Sequence, residues 1–272
     1  MAAHKVNTGR NLPLATAVGL ALLGGLVASL WFNRWAFALV AAVVGFLATR
    51  EISRMFEAKG IRLDSFALVA VPAVAAIAYW QGLGTGLIFL GVATIVGWAL
   101  ELRRGVSGFV AASSAFAFTM FYLGATLAFA TDLARAERGF GLVMTAVLLT
   151  VANDTGGYFA GIFAGRHPLA PSISPKKSWE GFAGSVLLQA AVGAGLVPLL
   201  IPIAWWQGLL AGVLMSVTAT VGDLVESAFK RDTGIKDSGD VIPGHGGMLD
   251  RVDSLLINVP VAWLLFVWVM HV

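Results

Sequence analysis

Long apolar stretches, separated by short polar segments, dominate the pattern of this chain. A helix needs about 20 mostly apolar residues to cross a bilayer, where only helices and closed barrels satisfy their backbone hydrogen bonds. Because these stretches are as long as helices and do not alternate between polar and apolar positions, they predict helices rather than barrel strands. Nine stretches qualify: 12–32, 35–50, 65–81, 83–100, 109–130, 140–163, 179–202, 206–226 and 254–271.

Two of the nine stretches are short, and one has a second interpretation. Residues 35–50 and 65–81 contain only 16 and 17 residues. Residues 12–32 could instead form a cleaved signal peptide, since Lys5 and Arg10 precede them, but a signal peptide usually has an apolar region of about 7–15 residues. We therefore expect an all-α, polytopic integral membrane protein with nine transmembrane helices.

Composition supports a membrane protein and removes several kinds of chemistry. The 272 residues are 58% hydrophobic and 12% charged, against roughly 25% charged in an average soluble domain. The sequence has no cysteine, which excludes disulfides, thiolate zinc sites and cysteine nucleophiles. The net charge of +3 is small, and we expect no nucleic acid among the partners.

The basic residues predict the orientation in the membrane. With a cytoplasmic N-terminus, 15 of the 18 lysines and arginines fall in cytoplasmic segments, which leaves Arg34, Arg135 and Arg138 outside. Cytoplasmic segments of membrane proteins carry such an excess. The pattern predicts an N-in, C-out protein, which we expect in a bacterial inner (plasma) membrane, with any site formed by the polar segments of its second half on the cytoplasmic side.

The acidic residues divide the chain into two regions. Carboxylates of residues 1–138 lie at or beyond predicted helix ends, which favours solvated charges on a transmembrane scaffold: Glu51, Glu57, Asp64, Glu101, Asp132 and Glu137. Segment 50–64 fits an interfacial amphipathic helix or a plain cytoplasmic loop equally well. Nine of the fifteen acids fall between residues 154 and 253, so we expect residues 139–272 to form the catalytic region of one integrated membrane unit.

Two acids, Asp154 and Asp223, lie inside apolar stretches. A charged residue at the centre of a membrane helix costs about 2.5–3.5 kcal/mol, so a cation, a basic partner or water usually compensates it. Glycines recur at intervals of four over residues 157–165 and predict a small-residue packing face. That face does not account for Asp154, which we interpret as functional together with Asn153.

The polar segment 169–182 carries Lys176 and Lys177 immediately before a predicted helix, together with serines that include Ser174. Backbone amides at a helix start, hydroxyl groups and two ammonium groups suit a phosphate group. A basic cytoplasmic loop without a ligand is the alternative.

Segment 223–253 mixes acids with bases and glycines. Carboxylates bind Mg²⁺, the metal bridges phosphate oxygens, and basic side chains neutralise the remaining charge, so this composition predicts a polyphosphate site with a divalent cation. An ordinary polar loop is the alternative. His245 could act as a base, a zinc ligand or a phosphate donor, although zinc is disfavoured without cysteine or a second histidine at ligand spacing.

The same segments resemble a known family. From Ser227 to Asp253 the chain resembles the signature of phosphatidate cytidylyltransferases, also called CDP-diacylglycerol synthases: Ser-x-Phe-Lys-Arg at 227–231, Lys236-Asp237, Ile242-Pro243, His245-Gly246-Gly247 and Asp250-Arg251-Val252-Asp253. Residues 154–161 and 174–181 are similar to the secondary motifs of that family. The resemblance implies Mg²⁺-dependent transfer of CMP from CTP to phosphatidic acid, giving CDP-diacylglycerol and pyrophosphate.

With this resemblance, individual residues receive expected roles. We expect Asp223 and Asp250 to bind the metal, with Asp154 as a third ligand and a second cation left open. The substrate and catalytic residues are Ser174, Lys176 and Lys177 at the CTP phosphates; Lys230, Arg231 and Arg251 at the lipid phosphate or pyrophosphate; Ser227, Gly246 and Gly247 at the substrates; and Lys236, Asp237, His245 and Asp253 in the catalytic site without separate roles.

Two other functions are alternatives. An ion-coupled transporter using Asp154 and Asp223 would place acids near the bilayer midplane and have two related halves, whereas the polar residues here crowd one face and one half. A CTP-dependent polyprenol kinase would keep the site and change the acceptor. We expect CTP, phosphatidic acid and membrane lipids as partners, and small-residue helix faces permit a homodimer.

Overall fold

The computed structural model describes residues 12–235, 238–239, 241 and 246–272, so that Lys236, Asp237 and His245 of the predicted site lie outside the described residues. The described chain is almost entirely helical, with two π-helical turns and one short hairpin. Its elements are α1 (Leu12–Phe32), α2 (Arg34–Ala58), α3 (Ala67–Gln81), α4 (Leu83–Leu102), α5 (Phe109–Thr119), a π-helical turn (Met120–Ala125), α6 (Thr126–Arg135), α7 (Gly139–Ala164), β1 (Pro168–Ala170), β2 (Ser174–Ser178), α8 (Trp179–Gly195), α9 (Val197–Leu200), α10 (Trp205–Thr233), α11 (Leu249–Trp263) and a second π-helical turn (Leu264–Val269).

Seven helical stretches of the described chain are long and apolar enough to cross a membrane: Arg34–Ala58, Leu83–Leu102, Phe109–Arg135, Gly139–Ala164, Trp179–Leu200, Trp205–Thr233 and Leu249–Val269. Two shorter apolar helices, Ala17–Phe32 and Ala67–Gln81, coincide with the first and third predicted stretches. The nine predicted stretches are therefore all helical, and the chain is a polytopic, mainly α-helical membrane protein.

The second helix is longer than predicted. α2 continues through residues 50–58, the part of the chain that the sequence assigned to either a loop or an interfacial helix. Neither glycine nor proline occurs in 50–58. The chain turns at Gly60, whose φ of 72° lies in the region that favours glycine. A single helix thus joins an apolar segment to a polar end.

A short antiparallel hairpin separates α7 from α8, although the sequence predicted helices alone. Pro168 lies opposite Ser178, and Ala170 lies opposite Ser174. Strands of three and five residues are too short for alternation to reveal them. Ser178 also caps α8, because its Oγ accepts a hydrogen bond from the Gly181 N–H at 3.1 Å. The hairpin therefore fixes its two lysines directly before α8.

Small residues let α7 and α8 pack closely. A Cβ atom added to Gly184 of α8 would overlap the Cβ of Ala160 on α7. One added to Gly157 would lie 2.6 Å from Ser185 Oγ, and one added to Gly181 would lie 3.1 Å from the Gly157 carbonyl oxygen. The glycine face predicted over residues 157–165 therefore packs against α8.

The N-terminal helices pack directly against the helices that carry the predicted site. The Thr126 hydroxyl of α6 donates a hydrogen bond to the Leu256 carbonyl of α11 at 2.6 Å. Near the polar end of α2, the ring of Phe56 contacts that of Phe229 on α10 with their centroids 5.0 Å apart. Both contacts hold α10 and α11 against the first half of the chain.

Candidate active site

A cavity of about 280 Å³ lies between α7, the hairpin, α8 and α10. Polar groups from three separate stretches of sequence line it: Asn153, Asp154, Lys176, Lys177, Ser178, Ser185, Thr220 and Asp223. Because the cavity carries both carboxylates and ammonium groups, its lining suits a charged ligand rather than an apolar one. The structure thus brings the predicted phosphate segment and two of the predicted metal ligands to one place.

The basic partner of Asp223 is Lys177. Its Nζ forms an ion pair with Asp223 Oδ2, and both side chains are partly exposed to the cavity. Ser227, one turn later on α10, donates from its hydroxyl to Asp223 Oδ1 at 3.3 Å. The acid that sits within an apolar stretch is therefore compensated by a lysine that is 46 positions away in the sequence.

Asn153 orients the other cavity acid, Asp154. The Asn153 amide donates to Asp154 Oδ1 at 3.4 Å and accepts a hydrogen bond from the Ser216 hydroxyl at 2.9 Å. Its backbone carbonyl accepts a further hydrogen bond from the Ser185 hydroxyl at 2.7 Å. Since these partners come from α8 and α10, the buried Asn153 joins the three helices behind the cavity.

Three carboxylates form a compact group beside the cavity. Oxygens of Asp223, Glu226 and Asp253 all lie within 4.8 Å of one another. Asp223 and Glu226 are three residues apart on one face of α10, whereas Asp253 comes from α11. Hard carboxylate oxygens are the protein donors that Mg²⁺ prefers, usually together with water and substrate phosphates. Glu226 is one of the nine acids counted between residues 154 and 253, and the sequence analysis gave it no role.

Glu226 is the most enclosed member of this group, with 1% of its side chain exposed. Oε2 lies 2.6 Å from Lys230 Nζ. Within the described part of the chain, however, neither carboxylate oxygen accepts a hydrogen bond of good geometry. A buried carboxylate is costly when it is incompletely paired. The donor set therefore fits a divalent cation.

Asp250, predicted as a metal ligand, lies outside the three-carboxylate group. Its Oδ1 accepts a hydrogen bond from Lys230 Nζ at 2.9 Å. Its Oδ2 accepts from the backbone N–H groups of Ser238 and Gly247 at 3.1 and 3.2 Å. Lys230 thus bridges Asp250 and Glu226, and Asp250 also holds the backbone of Ser238 and Gly247, which precede α11.

The remaining predicted residues lie around this centre. Arg231 donates from Nε to the carbonyl of Ile173 at 3.2 Å, which ties the end of α10 to the hairpin. Ser174 is half-buried in β2, and Arg251 is exposed in the first turn of α11. Gly246 has a φ of 88°, a conformation that suits glycine.

Two carboxylates predicted to be solvated are fully enclosed, so that prediction is wrong for Glu51 and Glu101. Glu101 accepts a hydrogen bond from Arg104 Nη1 at 3.0 Å. Glu51 of α2 instead accepts hydrogen bonds from the backbone at the start of α11. The sequence analysis ended the second helix at residue 50 and therefore assigned Glu51 to a solvated position beyond it. In the structure α2 continues to Ala58, and Glu51 lies within the helix. Glu226 had a local signal, its spacing of three from Asp223.

A helical membrane protein with lysines and clustered carboxylates around one cavity has the features of an enzyme that handles phosphate groups. Comparison with known proteins gives its family. The chain matches the cytidylyltransferase family over residues 14–269 and belongs to that family, which confirms the resemblance predicted from the motifs.

Named relatives align along most of the chain. It is 36% identical to the phosphatidate cytidylyltransferase of Mycobacterium leprae (strain TN) over 279 aligned residues, covering 94% of this chain and 87% of that protein. It is 34% identical to the Mycobacterium bovis phosphatidate cytidylyltransferase over 270 residues, covering 94% and 88%. A shorter match, 39% over 137 residues, covers 48% of this chain and 51% of the phosphatidate cytidylyltransferase of Staphylococcus saprophyticus.

Proposed function

We propose that this chain is a phosphatidate cytidylyltransferase, which transfers CMP from CTP to phosphatidic acid and produces CDP-diacylglycerol and pyrophosphate. Membership of the cytidylyltransferase family and the nearly full-length relatives support the activity. The structural observation that carries the proposal is the ion pair between Lys177 and Asp223 at the cavity. It joins a cationic segment suited to phosphates with a carboxylate group suited to a metal ion.

Mg²⁺ is the cofactor in this proposal, and Asp223, Glu226 and Asp253 are the residues that would hold it. Their clustered oxygens and the incomplete pairing of buried Glu226 support this assignment. When bound, Mg²⁺ neutralises phosphate charge and polarises the reacting phosphoryl group. Asp154 lines the same cavity as Asp223 and is our candidate ligand for a second cation. Asp250 forms an ion pair with Lys230, so it would bind the cation only after that ion pair breaks.

Lys176, Lys177 and Ser174 are assigned to the CTP phosphates, and Arg231 and Arg251 to the lipid phosphate or the departing pyrophosphate. A phosphatidate oxygen attacks the α-phosphorus of CTP, and the bond between that phosphorus and the bridging oxygen to the β-phosphate breaks. The lipid phosphate is already anionic near pH 7, so a strong general base is unnecessary. Positioning and charge neutralisation by these side chains then supply most of the rate enhancement.

We further propose nine crossings with an N-in, C-out orientation and a cytoplasmic active site in a bacterial plasma membrane. Contacts among the basic connecting segments support this arrangement. Lys59 pairs with Asp232 at 3.0 Å, and Arg104 pairs with Asp64 at 3.2 Å. Arg34, at the other end of α2, donates instead to the Ala136 and Glu137 carbonyls at 2.7 and 3.0 Å.

Two labelled forms of CTP test the activity. Detergent-solubilised protein is incubated with phosphatidic acid and CTP labelled in cytidine, and in parallel with a polyprenol and CTP labelled at the γ-phosphate. We expect cytidine label in the lipid together with released pyrophosphate, and no product with the D223N variant. Label from the γ-phosphate in polyprenol would instead establish a kinase. Nucleotide-independent ion flux in liposomes, without either product, would favour a transporter.

A further inference from the structure

Glu51, in the N-terminal half of the chain, binds the start of α11. The side chain is fully buried. Its Oε1 accepts a hydrogen bond from the Met248 N–H at 2.8 Å, and its Oε2 accepts one from the Leu249 N–H at 2.8 Å. The Ser238 hydroxyl donates a third to Oε2 at 3.1 Å. One carboxylate on α2 thus holds the backbone just ahead of Asp250.

The chemistry of a helix start explains why a carboxylate is suited to this position. The first N–H groups of a helix lack partners within it and carry partial positive charge, which favours an anion. Burying a carboxylate is costly unless hydrogen bonds compensate it. Among the described residues Glu51 has no ion-pair partner, so the α11 amides and the Ser238 hydroxyl provide that compensation.

Two glycines make room for this carboxylate. A Cβ atom added to Gly239 would lie 2.7 Å from Glu51 Oε1, and one added to Gly247 would lie 2.9 Å from Glu51 Oε2. Real Cβ atoms essentially never approach this closely, so a larger residue at either position would displace the carboxylate from its present place. Gly247 was predicted to contact substrate. Its close approach to Glu51 is a separate, structural reason for glycine at this position.

Ser238, which binds Glu51 through its hydroxyl, also binds Asp250 of the predicted site through its backbone, and Gly247 beside Met248 does the same. The backbone N–H groups of Ser238 and Gly247 donate to Asp250 Oδ2. Asp253 follows Asp250 by three residues on α11. Glu51 and Asp250 thus bind residue 238 and residues 247–249 from two sides, and α2 is itself fixed near α10 by the pair of Lys59 and Asp232.

We propose that Glu51 is a positioning residue for the metal site: by holding the first turn of α11, it sets the position of Asp253 relative to Asp223 and Glu226. This inference rests on the proposed function, because it assumes that these carboxylates bind the catalytic cation. Groups that orient metal ligands typically contribute about 10- to 100-fold to metal affinity. We expect loss of the Glu51 carboxylate to weaken metal binding by at least about tenfold.

The experiment measures metal binding without substrates. Purified E51Q is titrated with Mn²⁺, and free Mn²⁺ is followed by electron paramagnetic resonance. E101Q is the matched control, because Glu101 is also a buried carboxylate of the first half but binds Arg104. S238A removes one of the three hydrogen bonds to Glu51 and keeps the test usable if E51Q does not fold. The Mg²⁺ concentration for half-maximal CDP-diacylglycerol formation is measured in parallel.

We expect weaker Mn²⁺ binding and a raised half-maximal Mg²⁺ concentration in E51Q, a smaller shift in S238A, and wild-type values in E101Q. Folding is checked by thermal unfolding and elution profile. Wild-type Mn²⁺ affinity in folded E51Q and S238A would overturn the proposal, as would an equal loss in E101Q. If the wild-type protein binds Mn²⁺ but makes no CDP-diacylglycerol, the proposed function fails while the role of Glu51 is still decided by the titration.

Discussion

Lys177, at the end of the hairpin, forms an ion pair with Asp223 of α10 across the cavity. The pair places a phosphate-binding cation beside a candidate metal ligand, so that one substrate phosphate can meet both. Neighbouring Lys176 lines the same cavity and is exposed. The structure thus distinguishes two adjacent lysines that the sequence treated alike.

Replacing Lys177 should be more harmful than replacing Lys176. K177Q removes a ligand of the CTP phosphates and also leaves Asp223 without its cation, whereas K176Q removes a more exposed phosphate ligand and leaves the ion pair of Asp223 intact. A hydrogen bond to a charged group is worth about 1.5–3 kcal/mol, which corresponds to roughly 10- to 100-fold. We expect K177Q to lower kcat/KM for CTP by that factor and K176Q by less than tenfold. Steady-state kinetics with purified variants would contradict this ranking if the two losses were equal.

Isosteric substitutions test each of the three candidate metal ligands individually. D223N, E226Q and D253N should each lower turnover by roughly 100-fold or more, since a catalytic metal contributes several kcal/mol of transition-state stabilisation. Each should also weaken Mn²⁺ binding. E57Q, which alters an exposed carboxylate of α2, is the control and should behave as the wild type.

Asp250 gives a sharper comparison within the same experiment. If Asp250 acts by holding Lys230 and the backbone of Ser238 and Gly247, D250N should lower turnover but weaken Mn²⁺ binding less than D253N does. Equal losses of Mn²⁺ affinity would show that Asp250 is a ligand, as the sequence analysis expected. Chelation with EDTA should abolish turnover in the wild type, and added Mg²⁺ should restore it.

Lys230 is predicted to stabilise the fold through its two carboxylates. K230M leaves buried Glu226 and Asp250 without their shared cation, and breaking a buried ion pair costs about 3–5 kcal/mol. We expect a clear fall in the thermal unfolding temperature in detergent. The double variant K230M/E226Q should recover part of that loss, because Glu226, which K230M alone leaves charged and unpaired, is neutral in the double variant. An unchanged unfolding temperature in K230M would refute this assignment.

Much of the fold could be predicted because a membrane helix is a local property of the sequence. An apolar stretch of sufficient length has one good structure in a bilayer, and all nine stretches are helical. The hairpin was missed because strands of three and five residues leave no periodic pattern. Because the hairpin lies directly before α8, the prediction that Lys176 and Lys177 lie at a helix start still holds.

Candidate site residues could be predicted where their own stretch of sequence carries a signal. The sequence analysis singled out Asp223 as an acid within an apolar stretch, and Lys177 as a base in a polar segment before a predicted helix. Glu51 was not singled out, since its partners are 187 to 198 positions away and a charge beyond an apolar stretch is usually solvated. Tertiary contact, rather than local composition, determines the role of such a residue.

The packing of α7 on α8 predicts a specific pair of variants. G184A places a methyl group against Ala160, and overpacking of this kind costs about 1–3 kcal/mol. We expect a lower thermal unfolding temperature, partly restored in G184A/A160G. G195A, at a position with open space around the added methyl group, is the control and should be neutral. Equal unfolding temperatures for both single variants would contradict the close packing.

The proposed orientation can be tested directly because the native sequence contains no cysteine. Single cysteines at exposed positions report which side of the membrane each segment occupies. S107C and S172C lie in segments assigned to the cytoplasm, and A204C lies in a segment assigned to the opposite side. We expect a membrane-impermeant maleimide to label A204C in spheroplasts of the expressing cells, and to label S107C and S172C only after permeabilisation. The reverse pattern would invert the topology, and opposite accessibility of S107C and S172C would contradict the helix count between them.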